Sequence, residues 1–245
     1  MKRRGVAPAL STVILVGATI AIAIAAYQYV ASSLAISQAR ANFEDAKKAF
    51  EEIARWLNAF AFAKGASQTV PISLAHGILE TRNGNFTMTI TIGGSGSEIL
   101  SSRYYELRFY GEVQDEKEVL YGEKGTLITP PDELKPLPIV YVDQDEDGRW
   151  FVALNTSRIA IVDQGEVAGY KVYSVWRILI DDVEFSGSGT TFNIKVLISE
   201  VSYDTYYNVM RITVNGEQYN ITNDVEEEPT MVTVVTSHVK IMVSP

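Results

Sequence analysis

Cysteine is absent from all 245 residues, which removes disulfides, thiolate nucleophiles and Cys-ligated zinc or iron in one step. Histidine is almost absent: His76 and His238 lie far apart in sequence, and both read as surface residues rather than as a catalytic or metal-ligating pair. There is no Gly-x-Ser-x-Gly elbow and no Gly-rich phosphate loop, so the sequence gives no reason to expect an enzyme. Positive charge is also scarce. Against 30 Asp and Glu stand 21 Lys and Arg, and the net charge is −9. Phosphate recognition needs clustered cations, so a nucleic-acid partner is not expected. With Lys2, Arg3 and Arg4 supplying three positive charges at the start, the remainder of the chain carries −12. That division between a basic tip and an acidic body suits a chain oriented across a membrane. The 47% of hydrophobic residues is ample for a core held by packing and hydrogen bonds.

Charge is missing from one long stretch. Gly5 to Ala39 is a run of 35 uncharged residues. As a helix rising ~1.5 Å per residue it would be roughly 52 Å long, against the roughly 30 Å of a bilayer's hydrocarbon core. The surplus needs another cover, and protein supplies it. Within the run Gly17, Ala21 and Ala25 stand four residues apart, the small-xxx-small spacing that lets helix backbones approach closely; an alanine-rich span explains the same letters. Beyond the run, Ile36, Ala39, Phe43, Ala46, Phe50, Ile53, Leu57 and Phe60 recur every three or four residues, a stripe that carries the helix onward as an amphipathic rod. Glu44 with Lys48 and Glu51 with Arg55 stand in favourable i,i+4 order on the other face. Pro8 in the first turn and Gly65, Ser67 and Pro71 at the end bound a predicted helix from about Ala7 to Lys64.

Lys2-Arg3-Arg4-Gly5, then Val6-Ala7-Pro8-Ala9-Leu10 and Thr12-Val13-Ile14-Leu15-Val16, resembles the short basic leader and apolar start of archaeal type IV pilins. The resemblance covers about the first 30 to 60 residues and none of the head. It implies cleavage by a membrane prepilin peptidase beside Arg4 and Gly5, leaving Val6 as the new N-terminus, with the apolar helix retained for self-association through the pilus assembly machinery. Leu10 stands at the fifth mature position, where bacterial pilins usually carry Glu, and the Gly-Leu-x-Thr-Ala start associated with archaellins is missing. Two other readings of the same residues stay open: an ordinary secretory signal cut after Ala25 or Ala26, and an uncut anchor holding a surface domain.

After Gly65 the period changes from 3.6 to 2, most clearly where Phe86, Met88, Ile90 and Ile92 alternate with threonines. Further strands are expected near residues 103–113, 138–143, 149–155, 157–163, 169–181, 190–201, 206–214 and 231–243. Asn83-Gly84 and Asn215-Gly216 read as hairpin turns, and the Gly/Ser runs at 93–97 and 186–189 as loops. Pro130, Pro131, Pro136 and Pro138 mark a long connection that could divide the head in two. The expected fold class is α+β: leader 1–5, helix 6–65, and a β-sandwich-like head 66–245.

Asp143-Gln144-Asp145-Glu146-Asp147-Gly148 places carboxylates at positions 1, 3 and 5 and glycine at 6 of a calcium-loop template, but Leu154 stands where the bidentate Glu belongs. Calcium bound by Asp143, Asp145 and Asp147 and a solvated hairpin turn are both open readings. Asn85, Asn155 and Asn220 head glycosylation sequons. Tyr203, Tyr206 and Tyr207 suit either half-buried strand positions or an adhesive patch, and Glu226-Glu227-Glu228-Pro229 reads as a solvated loop. The function expected from all this is a filament subunit on the cell surface, helices in the core and β heads outside, acting in adhesion. The alternative is a membrane-anchored extracellular β domain that binds a partner, with calcium as its only candidate cofactor.

Overall fold

The computed structural model describes residues 6–94, 96–133, 135–222 and 228–245, with side chains described from Thr12 onward. Arg4 and Gly5 of the proposed leader, and Glu226 and Glu227, lie outside the described residues. One helix, α1 (Val6–Phe60), precedes thirteen strands among the described residues. They are β1 (Ser67–Ser73), β2 (Gly77–Ile92), β3 (Gly96–Gly111), β4 (Glu118–Tyr121), β5 (Ile128–Thr129), β6 (Ile139–Gln144), β7 (Trp150–Asn155), β8 (Ile159–Val167), β9 (Tyr170–Phe185), β10 (Thr191–Tyr207), β11 (Val209–Val214), β12 (Glu217–Asn220) and β13 (Thr230–Ser244). The chain is thus α+β, a long N-terminal helix followed by a β-rich region.

The strands form two sheets, one ordered β1-β10-β13-β9-β8-β5 and the other β12-β11-β2-β3-β7-β6-β4. Pairing is antiparallel except for β13 with β9 and β5 with β8. Two large apolar cores result, beside a small cluster of Ile139, Tyr141, Phe151 and Ala153. In one, Phe86, Met88, Ile90 and Ile212 of the second sheet meet Tyr173, Val175, Val232 and Val234 of the first. In the other, Phe50, Ile53 and Leu57 of α1 are enclosed by Leu107, Phe109 and Val152 of one sheet and Ile178, Ile194 and Val239 of the other. Strand β2 serves both by changing its buried face. Leu79, an odd position, faces the helix core, whereas Phe86, Met88 and Ile90, all even, face the inter-sheet core. Successive strand residues point to opposite faces, so one long strand can support an apolar layer on either side at its two ends.

Asn215-Gly216 makes its hairpin as the letters predict, with φ of 45° and 94° between β11 and β12. Asn83-Gly84 does not, because it lies inside β2, opposite Tyr105 and Tyr104 of β3. A Cβ on Gly84 would come within 2.3 Å of the Tyr104 ring, so glycine here makes room for a cross-strand aromatic and does not form a turn. The hairpin joining β2 to β3 turns instead near Gly94, at φ 74°. Helix α1 stops at Phe60, four residues short of the predicted end, and the backbone turns through Gly65 at φ 83°, whose N–H donates to the Ile198 carbonyl.

The Pro-rich connection is stitched to the head by one buried cation. Arg158 is fully buried and donates to the carbonyls of Thr126 and Pro136, each at 3.0 Å, and to that of Glu123. Burial pushes its guanidinium pKa down, opposed by Glu123 and Glu217. The Glu217 carboxylate accepts the N–H groups of Leu127 and Ile128 at 2.8 and 3.1 Å.

Candidate functional site

Helix α1 divides sharply into an uncovered and a covered half. From Thr12 to Gln38 every residue is exposed, including Leu15, Ile22 and Ile36 at 69%, 69% and 62%. Gly17, Ala21 and Ala25 lie in this half, and a Cβ built on Gly17 meets nothing. The helix is long and apolar enough to cross a membrane, and its most apolar window has no contact with the head. Apolar surface on this scale is stable only against lipid or other protein.

At Ala39 the stripe enters the head. Phe43, Phe50 and Leu57 are 1%, 0% and 0% exposed, packed in the chain's own core, so only the two ends of the stripe, Ile36 and Phe60, remain exposed to another molecule. The approach is close: Phe43 stacks 6.2 Å from Phe109, and a Cβ on Gly111 would lie 2.5 Å from the Phe43 ring. Lys47 sits where the helix enters, buried, with its ammonium at 3.0 Å from Glu44, 2.5 Å from Asp115 and 2.9 Å from Glu118. Burial alone would lower its pKa, but the three carboxylates outweigh it and raise the group well above its ordinary value. The stabilisation is therefore present below the unfolded-state pKa of ~10.4 and is lost only as pH rises above it. At the far end, Ser237 Oγ donates to the Ala61 carbonyl and Asn58 Oδ1 accepts the Leu137 N–H at 3.3 Å. Helix and head are joined by apolar, ionic and hydrogen-bonded contacts throughout the covered half.

The acidic loop between β6 and β7 is a hairpin turn in which the Asp143 and Asp145 carboxylates are already engaged. Asp143 lies 2.7 Å from both Lys117 and Lys124, and Asp145 lies 2.9 Å from Arg149 while also accepting the Asp147 and Arg149 N–H groups. Among the described residues no three potential metal ligands converge. A calcium ion at Asp143, Asp145 and Asp147 would have to displace three cations. Identical melting curves in calcium and in chelator are the expected result, and a calcium-dependent rise would show that the loop opens to take the ion.

Burial raises the Asp143 pKa, but Lys117, Lys124 and the Gln144 N–H outweigh it and hold the carboxyl well below its usual range. A depressed carboxyl stabilises above its unfolded pKa of ~3.9 and loses that effect as pH falls through the folded value. Asp143→Asn is thus expected to cost on the order of 1 kcal/mol at neutral pH, since its lysines are half exposed. Melting curves from pH 7 to below ~3 should show the gap closing.

The loop rims a groove of about 560 Å³ that also holds Glu80, Arg82 and Arg108. Beneath it Glu106 binds Arg108 Nε at 2.5 Å, the Tyr141 hydroxyl at 2.9 Å and Asn155 Nδ2 at 2.6 Å. Burial and the Glu106 carboxylate push the Tyr141 phenol up.

That network decides how the sequons stand. Asn155 uses Nδ2 on Glu106 and Oδ1 on the Ser157 N–H, and Thr156 is buried, so this asparagine is a structural residue with no free amide. Asn85 and Asn220 are exposed on β2 and β12, the latter accepting from Arg211 Nε at 2.9 Å. Of the tyrosines, Tyr203 and Tyr207 are exposed and Tyr206 is buried. His76 lines a groove of about 830 Å³ with Ile36, Arg40 and Trp150, where the helix leaves the head. His238 is not a lone surface residue, for its Nδ1 lies 2.7 Å from Asp181 Oδ2 and its Nε2 lies 3.4 Å from Ser202 Oγ. The three residues are separated by 36 and 57 positions, and no local signal could have joined them.

The geometry defines an α+β protein that carries a bare apolar helix on a β-rich body. Neither a family model, nor a curated protein, nor a solved structure matches the chain.

Proposed function

We propose that the chain is the structural subunit of a type IV pilus-like filament of the archaeal kind. The observation that carries this reading is the division of α1, which has one half exposed and apolar while the apolar face of the other is buried in the head. Before assembly the free half lies in the membrane. After cleavage near Gly5 it bundles with the helices of other copies through the Gly17, Ala21, Ala25 ridge and Ile36, and the heads form the outer wall, outside the cell, where they adhere. The head acts as a sandwich, its two sheets closing over one another and over the buried half of α1. Prepilin peptidase and the assembly machinery are the partners this requires, and nucleic acid is not one.

A helix anchored in a bilayer as a single pass, carrying a binding domain that never polymerises, would expose the same surface. N-terminal sequencing of the mature protein separates the two. A start at or beside Val6 is expected. An intact Met1 would overturn the filament reading in favour of the anchor, and a start near Ala26 or Tyr27 in favour of ordinary secretion.

A further inference from the structure

Strands β10, β13 and β9 are consecutive in their sheet. His238 of β13 pairs with Glu200 of β10 and with Leu179 of β9. Ser202 and Asp181 each stand two residues beyond those partners, which returns them to the face that His238 occupies. Asp181 is the extra residue of a register shift, since Val239 pairs with Ile180 and Lys240 with Asp182. Such a bulge re-aims a side chain, and here the carboxylate meets His238 Nδ1 at 2.7 Å.

A carboxylate only accepts, so Nδ1 carries the proton and the Nε2 lone pair faces Ser202 Oγ, 3.4 Å away. That separation is loose, as such pairs often are before substrate binds. Ser199 Oγ, donating to the His238 carbonyl at 3.0 Å, fixes the backbone between them. The site is open to solvent, the His238 and Asp181 side chains being 27% and 36% exposed. In the next cross-strand row Ser202 pairs with Thr236 and Thr236 with Arg177. Arg177 is buried, gives Nε to Thr236 Oγ1 at 2.7 Å, and leaves Nη1 without a partner.

The geometry points to a serine-nucleophile acyl-transfer site on the head, formed by Ser202, His238 and Asp181, that hydrolyses uncharged carboxylic esters. His238 Nε2 takes the Ser202 hydroxyl proton as Oγ attacks the ester carbonyl. The ester C–O bond breaks, and the alcohol leaves with the proton from the imidazolium. Water, deprotonated by the same nitrogen, then attacks the acyl-serine; the acyl C–Oγ bond breaks, the acid is released, and the imidazolium returns its proton to Ser202 Oγ. Asp181 holds the tautomer and offsets the imidazolium charge. Arg177, two strands away in the row of Ser202, adds a buried positive charge beneath the site. Glu200 and Asp204 share the face of Ser202, and Lys240 is paired with Asp182 and Glu184. This acidic surround repels anionic substrates, hence the restriction to uncharged esters, and the open face admits an ester borne on a bulky carrier.

Ester hydrolysis at this site is independent of filament assembly and is tested on the full chain in detergent. A fluorophosphonate probe should give one adduct, on Ser202, located by peptide mass spectrometry, and p-nitrophenyl acetate should be hydrolysed. Ser202→Ala should abolish both. His238→Gln, with an unchanged melting curve, should slow labelling by about 100-fold, the scale of a lost general base. No adduct on Ser202, or labelling as fast in His238→Gln as in the native chain, would overturn the assignment.

Discussion

Phe50→Asp is expected to unseat α1 from the head and to abolish the cooperative melt of the folded chain. Phe50 is fully buried in the core that both sheets and the helix share. Removing the ring costs about 3–5 kcal/mol in lost transfer and cavity terms, and burying a carboxylate with no partner adds several more. A whole domain is stable by only about 5–15 kcal/mol, so the variant loses most or all of its margin. Circular dichroism melts of the detergent-solubilised chain measure this, with Phe50→Leu as the volume control. A Phe50→Asp melt within a few degrees of the native one would mean that the helix is not anchored through this stripe.

Ile22→Asp should do the opposite. At 69% exposure Ile22 touches nothing in the head, so the melting curve is expected to stay unchanged. The loss falls on the helix's other environment, where a charge near the centre of a span costs about 2.5–3.5 kcal/mol for insertion and an unpaired one in a dry helix bundle at least as much. On the filament reading, membrane recovery of the precursor and filament yield should both collapse. Normal filaments from Ile22→Asp would place residue 22 outside any apolar contact.

The helix, its length and the switch to strands after Gly65 were legible because each rests on a local period. The turn at Asn215-Gly216 was legible because positive φ is a local demand. What the letters hid depends on who lies opposite. Asn83-Gly84 carries the same dipeptide signal, yet Tyr104 across the ladder claims the space and the strand runs through. The stripe from Phe43 to Leu57 reads equally well as an intermolecular seam or an intramolecular dock, since amphipathicity states that a face is covered without saying by what. Strands β4 and β5 are too short to show a period, and β5 is held by Glu217 and by its parallel pairing with β8, both from elsewhere in the chain. The Ser202, His238, Asp181 cluster needs the β10-β13-β9 order, including a parallel pairing and a bulge, none of which has a local signature.

A filament of this kind requires the exposed half of α1 to pack against the same half of other copies. Because the chain has no native cysteine, Ala21→Cys carries a single spin label without background. Dipolar coupling between labels in protein collected from the cell surface reads the distance between neighbouring helices. The filament account predicts strong intermolecular coupling, since packed helix axes lie about 8–10 Å apart. Labels that remain uncoupled, diluted among lipids with no short intermolecular distance, would contradict it.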